Sequence, residues 1–205
     1  MNFIYAIDLL GTMVFAISGA MAGNRKGIDI FGATFMAFVT AIGGGSLRDV
    51  FLNLRPLWVE DGNYLIAIFL GVLISIIANK ELYHLAKTLT LFDAIGIGFF
   101  TVVGTQKSLD YGSSDIAAIM LGMFSAVMGG VIRDVLVNET PLILRKEIYA
   151  SACLAGAFLF VILNNLKVDN GWNAFISASV VFIIRIVSVK YNLSLPQVEK
   201  KDASK

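Results

Sequence analysis

Gly44-Gly45-Ser46-Leu47-Arg48-Asp49-Val50-Phe51-Leu52-Asn53-Leu54-Arg55-Pro56-Leu57 is followed, at an ungapped offset of 85 positions, by Gly129-Gly130-Val131-Ile132-Arg133-Asp134-Val135-Leu136-Val137-Asn138-Glu139-Thr140-Pro141-Leu142. The two stretches share Gly-Gly-x-x-Arg-Asp-Val-x-x-Asn-x-x-Pro-Leu. Working outward at the same offset, Asp8 lies over Asp93, Gly11 over Gly96, Phe15 over Phe100, Gly19 over Gly104 and Gly27 over Gly112. The chain is therefore an internal duplication, and the positions it keeps are those where backbone or charge does something particular.

Composition supplies the solvent. Hydrophobic residues make up 57% of the 205 and charged residues 15%, against about 25% charged in a soluble domain, and the mean hydropathy is +0.78. These values define an integral membrane protein, in which a helical span needs about 20 largely apolar residues. Three such segments fit each repeat, near 3–22, 29–54 and 63–79, with copies near 89–106, 115–139 and 147–165. A seventh segment, 172–189, has no copy. The sequence thus predicts one all-α transmembrane domain over 1–190: repeat 1 at about 1–85, repeat 2 at about 86–170, a seventh helix at about 172–190, and a polar cytoplasmic tail at 191–205. The first segment ends in Ala20-Met21-Ala22, like a signal-peptidase site, but no Lys or Arg precedes it and its copy is internal, so a retained helix is expected.

With seven spans, Arg25, Lys26, Lys80, Lys87, Arg145, Lys146, Lys190, Lys200, Lys201 and Lys205 share one side, while Arg55, Lys107 and Lys167 share the other. The excess of cations places the first side in the cytoplasm and the N-terminus outside. Three crossings per repeat also require the second copy to enter from the opposite face. The repeats are then inverted, an architecture found in transport proteins.

The second span of each repeat carries the chemistry. Gly43-Gly44-Gly45 and Gly129-Gly130 interrupt apolar helices at about 1 kcal/mol per glycine relative to alanine, which predicts a kink or break there. Such a break is tolerated in a membrane only where protein or a water-filled cavity satisfies the freed groups. For Gly11, Gly19, Gly96 and Gly104 the competing reading, close helix packing, is the stronger one. Arg48 falls about 9 Å along its helix from Leu54, inside the membrane, where a charge is costly without a partner or water. Asp8 reaches a similar depth, and by inversion Asp93 matches Arg133, so the pairs Asp8/Arg48 and Asp93/Arg133 are expected, either bonded or sharing a hydrated vestibule. The competing role for Asp8 and Asp93 is stabilisation of a helix N-terminus. For Asp49 and Asp134 it is local pairing with neighbouring cations, and for Arg185, near Lys190, it is snorkelling to the interface.

The doubled Gly-Gly-x-x-Arg-Asp, in three-plus-three-plus-one spans over residues 1–190, resembles the prokaryotic branch of the trimeric intracellular cation (TRIC) channel family. The resemblance implies a homotrimer with one pore per protomer in the prokaryotic plasma (inner) membrane. It implies passage of monovalent cations, chiefly potassium with sodium as a second ion, and second and fifth helices kinked at Gly43, Gly44, Gly45, Gly129 and Gly130. Met128 departs from the triple glycine in the second copy.

Asp8, Asp49, Asp93 and Asp134 against Arg48 and Arg133 sum to −2 if all line one route, which favours cations in a narrow path. The arginines then act either as gates or as neutralised struts. In the latter case Thr40, Ser46, Asn53, Ser125 and Asn138 are the candidate polar lining. A single histidine, His84, and a single cysteine, Cys153, leave no conventional metal site or disulfide within one chain. No catalytic cluster, cofactor motif or nucleic-acid signature is present, and membrane lipid is the remaining expected partner. A secondary transporter of a small zwitterion such as glycine is the main alternative to a channel, because inverted repeats also serve substrate binding. A membrane scaffold ranks third.

Overall fold

The computed structural model describes residues 3–77 and 86–196. His84, Lys80 and the tail cations Lys200, Lys201 and Lys205 lie outside the described residues. Among those described there are eight α-helices and no strand. They are α1 (Phe3–Arg25), α2 (Ile30–Phe51), the single turn α3 (Leu57–Glu60), α4 (Asn63–Ile77), α5 (Ala86–Asp110), α6 (Asp115–Leu136), α7 (Ala150–Asn165) and α8 (Asn170–Lys190). A 3-10 turn, Leu142–Leu144, occupies the place in the second repeat that α3 has in the first.

The duplicated residues punctuate these helices. Gly27 and Gly112 follow α1 and α5 with φ of +72° and +79°, a left-handed conformation that costs glycine nothing. Asn53 and Asn138 follow α2 and α6 at φ +56° and +55°, and asparagine is among the few other residues that enter this region readily. Pro56 and Pro141, at φ −57° and −53°, lead into α3 and the 3-10 turn, the position where a missing N–H is harmless. Asp29 caps α2 by accepting from Gly32 N at 2.7 Å, and Ser114, at the same offset, caps α6 through Ala117 N.

Five helices, α1, α2, α5, α6 and α8, are long and apolar enough to cross a membrane. The apolar α4 and α7, at 15 and 16 residues, measure about 22–24 Å, short of a hydrocarbon core of about 30 Å. The protein is a multi-pass, all-helical membrane protein. Its centre is the pair α1 and α5, the most enclosed of the long helices, around which α2, α4, α6, α7 and α8 pack.

The α1/α5 contact is reciprocal. A Cβ on Gly11 would touch Phe100, and one on Gly96 would fall 2.1 Å from Phe15. The two phenylalanine rings meet at 5.0 Å between centroids. Each glycine thus makes room for the other repeat's aromatic ring, an exchange of small for large that lets two central helices approach closely.

Helical structure runs without interruption through Gly43–Gly45 and Gly129–Gly130, so the expected break does not occur. Several unsatisfied backbone groups in lipid would each cost several kcal/mol, more than the roughly 1 kcal/mol per residue that glycine costs within a helix.

Candidate functional site: two buried charge clusters on crossing helices

The glycine doublets mark the crossing of α2 and α6. A Cβ on Gly44 would lie 1.9 Å from the Ser125 carbonyl oxygen, and one on Gly129 would lie 2.4 Å from that of Thr40. Thr40 and Ser125 are themselves equivalent at offset 85, so this contact too is reciprocal. Pairing of 44 with 125 and of 40 with 129 makes the helices antiparallel. Counted along the axis from that register, Arg48 and Arg133 stand about 18 Å apart, one on each side of the crossing.

Around Arg48 the cluster draws on α1, α2, α4 and α5. Arg48 folds back on its neighbour, donating from Nε (2.9 Å) and Nη2 (2.7 Å) to Asp49 Oδ1. Lys107, at the end of α5, reaches the same oxygen at 2.9 Å. Asp8 does not pair with Arg48; its Oδ2 accepts from the Tyr64 hydroxyl at 2.7 Å. The expected Asp8/Arg48 bond is therefore replaced by two separate contacts, because Asp49 and Lys107 already neutralise that corner. Ser46 accepts from Trp58 Nε1 at 3.1 Å. Asp8, Thr12, Gly45, Arg48, Asp49 and Tyr64 help to line a cavity of about 20 Å³, room for about one water-sized body.

Around Arg133 the arrangement is tighter. Arg133 Nη1 donates to Asp93 Oδ1 at 2.8 Å and to Ser18 Oγ at 2.6 Å, and Nε donates to Asp134 Oδ1 at 2.9 Å. Asp134 Oδ2 accepts from the Leu142 amide at 3.1 Å, tying the 3-10 turn to α6. Arg133 and Asp93 are both fully enclosed. Arg185 does not snorkel: it is fully buried, donating to Glu147 Oε2 at 2.5 Å and to the Ile148 carbonyl at 3.0 Å, with its guanidinium over the Tyr149 ring at 5.0 Å. The acceptors that Glu147 and Ile148 present just before α7 make the interface unnecessary.

Of the polar candidates, Thr40 is buried at the crossing and returns its hydroxyl to the Met36 carbonyl, and Ser125 Oγ is buried there without a partner among the described residues. Asn53 and Asn138 are exposed at the helix ends. Their duplication is accounted for by the left-handed backbone they occupy.

Sequence reasoning missed Lys107, Ser18 and the tyrosines. Tyr64 and Tyr149 stand at offset 85 beside Asp8 and Asp93, so the repeat itself carried their signal. Lys107 and Ser18 have no such mark, because their counterparts are Ala22 and Val103. With Lys107 added, four aspartates stand against three cations, and the formal sum is −1 rather than −2.

The contacts also sort the loops by face. Lys26 after α1 meets Glu139 after α6 at 3.0 Å, whereas Tyr5 at the start of α1 donates to Asp61 before α4, and Asn165 at the end of α7 donates to Asp115 at the start of α6. Outside the spans, Lys26 holds the Glu139 carboxyl below the usual range, and the Tyr5 hydroxyl does the same for Asp61.

Duplicated, helix-lined and charged within its membrane interior, the chain belongs to the class of transport-type membrane proteins. The family model described as "Glycine transporter" matches twice, at residues 5–80 and 90–165, and the two matches begin 85 positions apart. A UPF0126 membrane protein of Vibrio cholerae is 36% identical over 95% of this chain and 82% of its own. The UPF0126 inner membrane protein YadS of Escherichia coli is 34% identical over 94% and 95%. The solved TRIC channel orthologue of Rhodobacter sphaeroides superposes with a TM-score of 0.88 at 32% identity, over 94% of this chain and 100% of that one. The chain belongs to the prokaryotic TRIC channel family.

Proposed function

We propose that the protein is a channel for monovalent cations, chiefly potassium, with one pore per protomer running along α2 and α6. The observation that carries this reading is the pair of buried arginine–aspartate clusters, one on each side of the α2/α6 crossing. Charged groups are kept inside a membrane where they line or gate a route, and a formal sum of −1 across both clusters favours cations. The likeness to a TRIC cation channel at 32% identity supports the same reading. Passive conduction needs no chemistry, and the protein is read as a non-enzyme.

In this reading residues 1–190 form one transmembrane domain of seven spans, two inverted repeats and α8. The reciprocal contacts Gly11/Phe100 with Gly96/Phe15, and Gly44/Ser125 with Gly129/Thr40, are what an axis in the membrane plane would produce. α2 and α6, hydrogen-bonded throughout, bend rather than break at their glycines. The positive-inside rule puts the C-terminus in the cytoplasm of a prokaryotic plasma membrane. A homotrimer surrounded by lipid is the assembly that family membership favours.

The test is purified protein in planar bilayers under a potassium gradient. Discrete current steps that reverse near the potassium potential are expected. Saturable glycine uptake without unitary currents would instead favour a transporter, the reading that the family model's description keeps in view.

A further inference from the structure

The two repeats hold the same three side chains in two different pairings. In the first, Tyr64 donates to Asp8 Oδ2 at 2.7 Å while Arg48 Nη1 is buried without a partner among the described residues. In the second, the equivalent arginine nitrogen, Arg133 Nη1, donates to Asp93 Oδ1 at 2.8 Å, while the Tyr149 hydroxyl and Asp93 Oδ2 are buried without hydrogen-bond partners among the described residues, as is Arg133 Nη2, which lies 2.8 Å from Asp134 Oδ1. What is bonded in one repeat is orphaned in the other. Buried polar atoms are rarely left unpaired in native structures, so complementary orphans at equivalent positions mark alternative states of one device.

We infer that each aspartate, Asp8 and Asp93, exchanges its partner between the tyrosine and the arginine of its own repeat, and that Tyr64 and Tyr149 are the positioning residues that free the arginine from the route. This rests on the channel reading. The arginine-paired form ties α6 to α5 and, through Ser18, to α1, leaving Arg133 fully enclosed; it closes its half. In the tyrosine-paired form the arginine is just as buried but is bonded to its neighbour Asp49 alone, without that tie between helices, and lies beside a cavity of about 20 Å³; it opens its half.

The surroundings explain why the halves differ. Ser18 accepts from Arg133 Nη1 at 2.6 Å, whereas its counterpart, Val103, offers Arg48 no acceptor. Lys107 helps hold Asp49 in place, and its counterpart is Ala22. Arg185, from the unrepeated α8, sits over the Tyr149 ring at 5.0 Å, a contact for which Tyr64 has no repeated counterpart. A Cβ on Gly130 would lie 2.8 Å from Tyr149 Oη and 3.4 Å from Asp93 Oδ1, so the hydroxyl and the carboxylate both border the space that the glycine leaves.

Two substitutions separate an exchange from a static scaffold. Ser18→Ala removes a support of the arginine-paired form and is expected to raise the ratio of open to closed time in single-channel records about tenfold. Tyr149→Phe removes the competing donor and is expected to lower it about tenfold. Each change corresponds to ~1.4 kcal/mol, within reach of one hydrogen bond to a charged group. Unitary conductance stays the same in both. Shifts in the same direction, or shifts in unfolding temperature with open probability unmoved, overturn the exchange. A structure of the Ser18→Ala protein in lipid supplies the second arm and needs no current: Tyr149 Oη within hydrogen-bond distance of Asp93 is expected, and Asp93 still bonded to Arg133 with Tyr149 unpaired overturns it. If the wild-type protein passes no unitary current, the channel reading falls, and that structure alone decides the exchange.

Discussion

Alanine substitution along Gly43-Gly44-Gly45 asks whether the glycines serve close approach or flexibility. At Gly44 the new Cβ would lie 1.9 Å from the backbone oxygen of Ser125, against an ordinary contact of about 3.5 Å. α2 and α6 must then part by more than about 1 Å, and overpacking of this kind costs about 1–3 kcal/mol. At Gly43 the obstacle is the flexible tip of Ile132, at 2.5 Å, and at Gly45 only Arg48 Nη2 is near, at 3.8 Å. There the helix gains up to about 1 kcal/mol from alanine. The single thiol, Cys153, is buried in α7, so a thiol-reactive fluorophore followed on heating in detergent reads unfolding directly. For a chain of this length about 1 kcal/mol moves the midpoint by about 2–4 °C. Gly44→Ala is expected to lower it by about 4–10 °C, Gly43→Ala by less, and Gly45→Ala to leave it unchanged or raise it. Equal losses at all three positions, or unitary currents abolished by Gly45→Ala alone, would refute the packing account and make the triplet a swivel.

Asp93→Asn leaves the enclosed Arg133 with Asp134 as its one remaining carboxylate and is expected to destabilise by up to about 3 kcal/mol, whereas Asp8→Asn, whose amide oxygen still accepts from Tyr64, should cost clearly less; the same thermal assay ranks them. Asn138→Gly should be nearly neutral and Asn138→Ala should cost about 1 kcal/mol, because φ is +55° there. Lys26 holds the Glu139 carboxyl below its ordinary 4.5, so this contact stabilises the fold above about pH 4.5 and is lost as pH falls through the depressed value. Because the pair is partly exposed, the contribution is below about 1 kcal/mol, and Lys26→Ala should narrow the difference between midpoints measured at pH 7 and pH 3 by no more than that.

The seven apolar segments read from the sequence coincide with the helices to within a few residues, because span length and hydropathy are properties of each segment alone. The glycines were legible as special, and of the kink or break expected there the continuous helices exclude the break. A repeat reveals that a Cβ is excluded but not whether a neighbouring helix or a bent backbone excludes it, and Gly44 against Ser125 answers for the neighbour. The Asp93/Arg133 contact followed from the matching depth of the two residues along their helices. Asp8 and Arg48 share one cavity without a direct bond, because Lys107, whose counterpart is Ala22, enters that cluster alone. Arg185 was misjudged because its acceptors, Glu147 and the Ile148 carbonyl, come from a segment whose position no spacing encodes.

What the duplication does not repeat therefore matters as much as what it does. An exact internal symmetry would give both clusters equal energies and offer no reason for one half to differ from the other. Lys107 in place of an alanine, Ser18 in place of a valine, and Arg185 on a helix with no copy each act on one cluster only. Each is a charged or hydrogen-bonding group in an interior of low polarity, where a single such contact is worth several-fold in an equilibrium. Symmetry gives the two sets of aspartate, tyrosine and arginine the same repertoire, and these three unrepeated residues choose a different member of it at each end of the α2/α6 crossing.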